Sequence, residues 1–409
     1  MNNNRVITTI LMVTIIIDVM GMGLVFPVLP GLFFDSARAI VTSDTSMTMR
    51  QFYYGLSLCV WPLGLFIGAP FFGDLSDKYS RKTIIAICLI GVAVTYIFSA
   101  VALHQQSLMI FLLSRILSGF FSGSFPIAQA MMIDISEEGQ KAKNISMVTL
   151  AASLGFVIGP LVTSLSTIPA FSGIFDFSTP FYIAAIFSLL NFVSVLLFLP
   201  KMPATNPELK ANILRGLFVV KEVLTDQRIR KLFMAFMIFF LGWGFYVAAL
   251  PLTLREVFGY SVSQTALVFA LLAVGNIVGI LVLQPFMLRT FSLKSCCLIS
   301  GLLLTVLVGI SLDVQWPWVQ WFTAFFASCV MMVFYTAVMT MFSDFVGSKE
   351  QGKVMGGADA CMSIAWLVSG FVIGFSVQYY ILLPLIIGTV SLLIGALFFI
   401  SKKSCSVSK

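Results

Sequence analysis

Charge is scarce in this chain. Asp, Glu, Lys and Arg together make 10% of its 409 residues, against roughly 25% in a soluble domain. Mean hydropathy is +1.03. That shortage excludes an ordinary water-soluble globule. Histidine is nearly missing as well: His104 stands alone at the outer end of an apolar run, and a lone imidazole reads as structural. The seven cysteines are Cys59, Cys88, Cys296, Cys297, Cys329, Cys361 and Cys405, with no CxxC pair. Most lie inside apolar runs, so they read as small packing residues and not as a disulfide or metal set. No Gly-x-x-x-x-Gly-Lys-Ser/Thr loop exists, which argues against ATP-driven transport. No Ser/His/Asp set, zinc cluster or haem site is visible either. These gaps point away from an enzyme, a cofactor and a metal. If the protein moves something uphill, an ion gradient must drive it.

What is present is apolar sequence in long runs. Twelve segments could each supply the ~20 residues that a bilayer span requires. They are 7–29, 52–73, 83–103, 108–133, 144–167, 179–199, 230–253, 263–287, 295–313, 318–342, 354–377 and 381–400. The first run carries Asp18 and has no small-residue cleavage site behind it, so it reads as a retained helix and not a signal peptide. The net charge of +7 invites a nucleic-acid reading, which its distribution rejects. With the N-terminus inside, most Lys and Arg fall on the cytoplasmic side: near 78–82, at 141–143, over 201–231, at 289–294, at 349–353 and in the C-terminal tail. Only Arg38, Arg50 and Arg255 fall outside, and Arg115 lies within the membrane. This is the positive-inside pattern with both termini cytoplasmic. Compact loops and short tails fit a bacterial inner membrane. The expected assembly is a monomer.

The longest cytoplasmic stretch separates six spans from six. The expected organisation is a helical bundle over 1–200, a linker over 201–229 with a surface helix, and a second bundle over 230–409. Gly155-Phe156-Val157-Ile158-Gly159 recurs as Gly370-Phe371-Val372-Ile373-Gly374, and Pro70-Phe71 recurs as Pro285-Phe286. Both recurrences share one offset, close to half the chain. A duplicated six-helix half is a known transporter plan.

Two charges interrupt the apolar runs. Asp18 is the only one in 7–29, and Arg115 lies inside 108–133. A carboxylate at bilayer depth costs roughly 2.5–3.5 kcal/mol on insertion scales, so each is a functional-site hypothesis. At ~1.5 Å per residue, Asp18 lies ~17 Å from the cytoplasmic end of its span and Arg115 ~10 Å from the outer surface. The two levels nearly coincide in a ~30 Å core. A carboxylate and guanidinium at one depth form either a switch, opened by a proton or a cationic substrate, or a permanent ion pair that fixes helix register. At 3.6 residues per turn, Arg115, Ser118 or Gly119, Ser122, Phe125 or Pro126, and Gln129 share a face. Such a stripe should line water or a partner helix.

The segment Gly73-Asp74-Leu75-Ser76-Asp77-Lys78-Tyr79-Ser80-Arg81-Lys82 reads as a short loop. Asp77 could accept from amides at a helix N-terminus, and Arg81 could pair with Asp134 at the inner end of the fourth span. This segment resembles the signature loop of the major facilitator superfamily, Gly-x-Leu-Ala-Asp-Arg-x-Gly-Arg-Arg, departing at Lys78 and Ser80. The resemblance implies an inner gate built from Gly73, Asp74, Asp77, Arg81, Lys82 and Asp134, with Asp77 facing the start of the eleventh helix. Arg115 and Gly119 resemble the family's Arg-x-x-x-Gly element, linked to proton coupling. Gly155-x-x-x-Gly159-Pro160 resembles the antiporter element of the fifth helix, with Thr163 and Ser164 in place of its usual Gly-Gly. Asp18-Val19-Met20-Gly21-Met22-Gly23-Leu24-Val25-Phe26-Pro27-Val28-Leu29-Pro30 resembles the first helix of the tetracycline-efflux-like branch of drug:proton antiporters.

The fold implied is all-α, with twelve transmembrane helices in two six-helix pseudo-repeats. The activity implied is proton-coupled export of a small amphiphile, with Asp18 as protonation or cation site and Arg115 as its coupling partner. Ser118, Ser122, Gln129, Trp243, Tyr246, Asn276, Tyr335 and Trp366 bring polarity into apolar spans and are candidates for a substrate cavity. An exporter or importer of a metabolite or siderophore would look nearly the same. A non-transporting receptor or scaffold on this fold is the alternative of another class. The expected partners are a small-molecule substrate, protons and lipid, with no nucleic acid.

Overall fold

The computed structural model describes residues 2–35, 39–135, 141–168, 175–201, 203, 206, 208–209, 211–345 and 351–400, with the side chains of 2–4, 141–143, 145–146 and 351–353 set aside. Arg38, the basic residues of 141–143 and 349–353, and those of the C-terminal tail therefore lie outside the described side chains. Every regular element among the described residues is helical. In chain order they are α1 (Asn2–Phe34), α2 (Met47–Lys78), α3 (Arg81–His104), α4 (Leu108–Phe121), α5 (Ser124–Asp134), α6 (Lys141–Ser166) and α7 (Thr179–Phe198). Then come α8 (Arg215–Thr225), α9 (Arg230–Glu256), α10 (Val262–Val278), a π-helical turn (Gly279–Leu283) and α11 (Gln284–Thr290). The last four are α12 (Leu293–Ile310), α13 (Pro317–Phe345), α14 (Gln351–Ser376) and α15 (Leu383–Leu397).

Eleven of the described helical stretches are long and apolar enough to cross a membrane. The expected twelfth span forms α15, an apolar helix of 15 residues, shorter than the sequence run 381–400. The surface helix expected in the linker is α8, which buries Gly216 and Val223 and exposes its flanks.

Two expected elements differ. The segment 73–82 is not a loop. The α2 helix continues through Lys78, and only Tyr79 and Ser80 connect it to α3. Asp77 thus sits in the last turn of α2. The fourth span is not one helix either. It breaks between α4 and α5 at Ser122 and Gly123. Pro126 explains the break: it has no N–H, and its ring clashes with the carbonyl four residues earlier, that of Ser122. Pro285 similarly follows the π turn, where a widened helix relieves the same clash at Leu281.

The chain forms two compact units. One comprises Met1–Thr45, Val60–Arg215 and Val262–Ala270; the other comprises Ser46–Cys59, Gly216–Ser261 and Leu271–Lys409. Compactness therefore departs from chain order in two helices, at the first turns of α2 and of α10. In the first unit α1 packs along α6, and α3 packs on α4 and α7. In the second, α9 packs on α14 and α15, and α12 on α13 and α15.

The recurring glycine pairs do similar work in each unit. A Cβ on Gly155 would lie 2.5 Å from the Ile16 carbonyl, and one on Gly159 would lie 2.5 Å from that of Met20. Within the second unit, a Cβ on Gly370 would meet the Cys59 amide at 2.9 Å, and Gly55 and Gly374 touch through their backbones. Small residues let helices approach closely where no hydrophobic effect drives association in lipid.

Candidate functional site

The first unit builds its polar centre around Asp18. The α1 helix is apolar on nearly every side, and Asp18 is only 7% exposed within it. Its Oδ2 accepts a hydrogen bond from Ser124 Oγ at 2.6 Å. Ser124 is the first residue of α5 and is wholly buried. The break in the fourth span is what presents that hydroxyl to α1. The other carboxylate oxygen, Oδ1, is buried with no hydrogen-bond partner among the described residues.

Arg115 is also buried, at 3% exposure, and its Nε and Nη1 have no hydrogen-bond partner among the described residues. No ion pair joins it to Asp18 among those residues. Depth alone brought the two together in the sequence, but they do not touch. Tyr96 of α3 stands in electrostatic reach of both charges and approaches Ser118. Its hydroxyl lies against the backbone of Gly21, where a Cβ would collide with it. The arrangement is thus a carboxylate, a phenol and a guanidinium distributed over α1, α3 and α4.

The expected stripe on the fourth span crosses the break. Ser118 is buried, and Ser122 turns its hydroxyl back to the Ser118 carbonyl at 2.8 Å. Gln129 is half-buried on the separate helix α5. None of Arg115, Ser118, Gly119, Ser122, Phe125, Pro126 and Gln129 is exposed.

The glycine motif of α6 belongs to this centre. Ile16 and Met20, whose carbonyls Gly155 and Gly159 approach, flank Asp18 two residues on either side. Pro160 packs where Gly23 leaves room, at 2.9 Å from the position of a Cβ. One turn on, Thr163 Oγ1 donates to the Leu24 carbonyl at 2.8 Å. The motif holds the α1 backbone against α6 along the stretch that carries Asp18.

A second polar group closes one end of the first unit. Arg81 Nε lies 2.9 Å from Asp134 Oδ2, the pair expected from the sequence, and its guanidinium lies 3.7 Å from Asp77. Asp74 is buried and pairs instead with Arg215 at 2.9 Å. Lys82 Nζ donates to the Leu196 and Leu199 carbonyls at 2.8 and 2.6 Å, capping the end of α7 with a cation as the helix dipole favours. The Asn206 amide donates to the Asp77 carbonyl at 2.8 Å. Gly73 has open space where a Cβ would be. The partner that the resemblance implies for Asp77, at the start of the eleventh helix, falls among the undescribed side chains.

His104 is structural. Its Nε2 is 3.1 Å from Ser178 Oγ, and its ring stacks on Tyr182. Ser178 in turn donates to Asp176. Burial opposes ionisation of Asp176. Hydrogen bonds from the Ser178 hydroxyl and amide, the His104 charge and the Thr179 amide outweigh it, and hold the carboxyl below its ordinary value.

The remaining candidates sit in the second unit. Trp243 and Tyr246 are buried side by side on α9, ring centroids 5.5 Å apart. The Tyr246 hydroxyl approaches Thr323. Asn276 on α10 has a buried Oδ1 without a partner among the described residues. Tyr335 on α13 sits 6.1 Å from Phe240, edge-on. Trp366 is half-buried on α14.

Sequence reasoning missed Ser124, Tyr96 and Arg215. Ser124 left a faint signal, since it stands two residues before the proline that breaks the span. Tyr96 and Arg215 left none, because nothing in their own segments points to a distant charge.

The Major Facilitator Superfamily model matches residues 11–370, and again 232–407. The chain belongs to that superfamily. It is 28% identical over 189 residues to the class B tetracycline resistance protein of Escherichia coli, covering 46% of this chain and 43% of that protein. It is 29% identical to the class C protein of the same organism, over 55% of this chain and 54% of that one. It is 32% identical to the quinolone resistance protein NorA of Staphylococcus aureus (strain Mu50 / ATCC 700699), over 50% of each chain. The chain spans about half the length of these relatives. Among solved structures, it is similar to a D-xylose-proton symporter with TM-score 0.80 at 15% identity, covering 99% of this chain and 98% of that one. It is also similar to the human organic anion transporter MFSD10 (TETRAN), with TM-score 0.71 at 18% identity over 97% and 99%. At those identities the likeness is one of fold.

Proposed function

We propose that this protein is a secondary transporter of an inner membrane that exports a small amphiphilic compound in exchange for protons. It works by alternating access, with both termini in the cytoplasm. The observation that carries the reading is the Asp18 carboxylate, buried in a spanning helix and held by the single hydroxyl of Ser124, with its second oxygen unpartnered among the described residues. A charge so placed is costly unless a proton or cation joins it. Its occupancy is therefore coupled to whichever conformation opens it to water.

Arg115 acts on Asp18 through Tyr96 in this reading, since no direct pair exists. A proton arriving at Asp18 changes the field on the phenol, and the phenol's interaction with the guanidinium changes with it. The glycine motif on α6 keeps α1 in register while this happens. The 73–82 segment, with Asp134, braces the cytoplasmic end. The drug-resistance names of the relatives support an amphiphilic drug as cargo, and the positive-inside charge pattern supports the orientation.

The test uses everted membrane vesicles from cells that express the protein. They are energised, and lumenal pH is followed while lipophilic cations, tetracyclines and iron chelators are added. Proton release by one compound class, absent with Asp18→Asn, is the expected result. Silence toward every compound, with folded protein present, overturns drug export and favours a metabolite as cargo.

A further inference from the structure

The mechanism above leaves unused a groove on the flank of the first unit, between α3 and α7. These two helices pack on each other and run antiparallel. Lys82, at the start of α3, meets the end of α7 through the Leu196 and Leu199 carbonyls. His104, at the far end of α3, stacks on Tyr182 near the start of α7. At the Lys82 end the helices part around a cavity of about 290 Å³.

The groove has two unlike ends. Lys82 and Lys201 stand at one of them. From there Ala86 and Ile90 of α3 carry the wall inward at the four-residue spacing of a single helix face. Phe192 and Leu196 do the same on α7. Ile90 lies ~12 Å along the helix axis from Lys82, at ~1.5 Å per residue. Among the described residues, none that lines the groove is acidic. Ile87 and Leu196 are exposed, so the groove opens on an apolar flank of two spanning helices and not toward the Asp18 centre.

Both cations are able to take an anion. An ammonium has three donors. Lys82 uses two of them on the α7 carbonyls, which fix the group at the groove and leave the third for a ligand. Lys201 is exposed just beyond the end of α7. Neither lysine has an ion pair among the described residues. A water-soluble anion would satisfy the ammoniums and leave the apolar wall bare. An uncharged alkyl chain would cover the wall and ignore the ammoniums. A molecule with an anionic head and an apolar tail satisfies both.

We propose that this groove binds one anionic phospholipid of the phosphatidylglycerol type. Its phosphate sits on Lys82 and Lys201, and an acyl chain runs along Ala86, Ile90, Phe192 and Leu196. Basic pockets between spanning helices on the cytoplasmic side suit acidic headgroups. The leaflet is the cytoplasmic one under the topology proposed above, whereas the site itself depends on neither cargo nor proton.

Photolabelling of the purified full chain in phosphatidylcholine discs tests it. The probe is phosphatidylglycerol with a diazirine on one acyl chain. Its control is phosphatidylcholine with the same chains and diazirine, which keeps the phosphate but has no net charge. Labelled residues are mapped by peptide mass spectrometry. The phosphatidylglycerol probe is expected to label 86–90 and 192–196 at least about tenfold more than the control, and each lysine should account for about fivefold. Lys82→Gln and Lys201→Gln should each lower the excess by that factor, with labelling of the exposed α12 flank over 299–306 unchanged as the sign of a folded chain. Lys82→Gln also removes the cap on α7, so Lys201→Gln, outside that cap, is the deciding variant. Equal labelling by the two probes overturns the proposal, as does an undiminished excess in Lys201→Gln. Displacement of the probe by millimolar inorganic phosphate overturns it too, and assigns the lysines to a free anion. Absence of proton release in vesicles defeats antiport and leaves this site standing.

Discussion

Asp18 is a buried acid that accepts from one hydroxyl, that of Ser124. Ser124 reaches it because Pro126 ends the α4 geometry at Ser122, so the donor arrives from a separate helix. A hydrogen bond to a charged group is worth about 1.5–3 kcal/mol, and about 1.4 kcal/mol is tenfold in an equilibrium. Ser124→Ala should therefore reduce substrate-driven proton release by about one to two orders of magnitude, whereas Asp18→Asn should abolish it. Both are read as initial rates of lumenal pH change in everted vesicles. Equal loss in the two variants would mean that the hydroxyl does more than hold the carboxylate. The acid and Arg115 were legible in the sequence because a charge in an apolar run is conspicuous. Their separation was not, because depth along a span says nothing about azimuth.

The α1–α6 contact is the element most sensitive to side-chain size. Gly159 brings the two backbones so close that a side chain must push them apart. Overpacking of this kind costs about 1–3 kcal/mol, so Gly159→Leu should lower the thermal unfolding midpoint of purified protein and impair transport together. The Arg81–Asp134 pair behaves differently. Asp134 is 39% exposed, so screening limits the pair to about 1 kcal/mol or less. Arg81→Met should barely move the unfolding midpoint but should lower the transport rate in the vesicle assay, if the end of α2 braces the gate.

The junction of α3 and α7 carries its own pH signature. The Asp176 carboxyl is held below its ordinary value in the folded chain. Its stabilising contribution is then complete above the unfolded value, near 3.9, and is lost as pH falls through the folded one. Acid titration of the unfolding midpoint should show a loss below about pH 4 that is reduced in Asp176→Asn. At neutral pH the clamp is intact.

The whole molecule's path across the bilayer rests on its charge distribution. Lys78, Arg81, Lys82, Lys201 and Arg228 gather at connections assigned to the cytoplasm, while Arg50 and Arg255 stand at the opposite connections. A phosphatase fused after Asn206 should be inactive, and one fused after Ser261 should be active, because that enzyme works only outside the cytoplasm. The reverse pattern would invert the topology and with it the direction of proton movement in the vesicle assay.

The amino-acid sequence determined the all-helical membrane class, the places where spans begin and end to within a few residues, and the superfamily. These follow from local quantities: hydropathy over ~20 residues, loop charge, and a ten-residue motif between the second and third spans. Tertiary structure decided which polar groups meet. It placed Ser124 on Asp18, set the Tyr96 hydroxyl against the backbone of Gly21, and joined Asp74 to Arg215. The reason is geometric: a helix break rotates every residue beyond it, and contacts between distant spans depend on that rotation and on backbone approach at glycine. Neither quantity is local to any one segment.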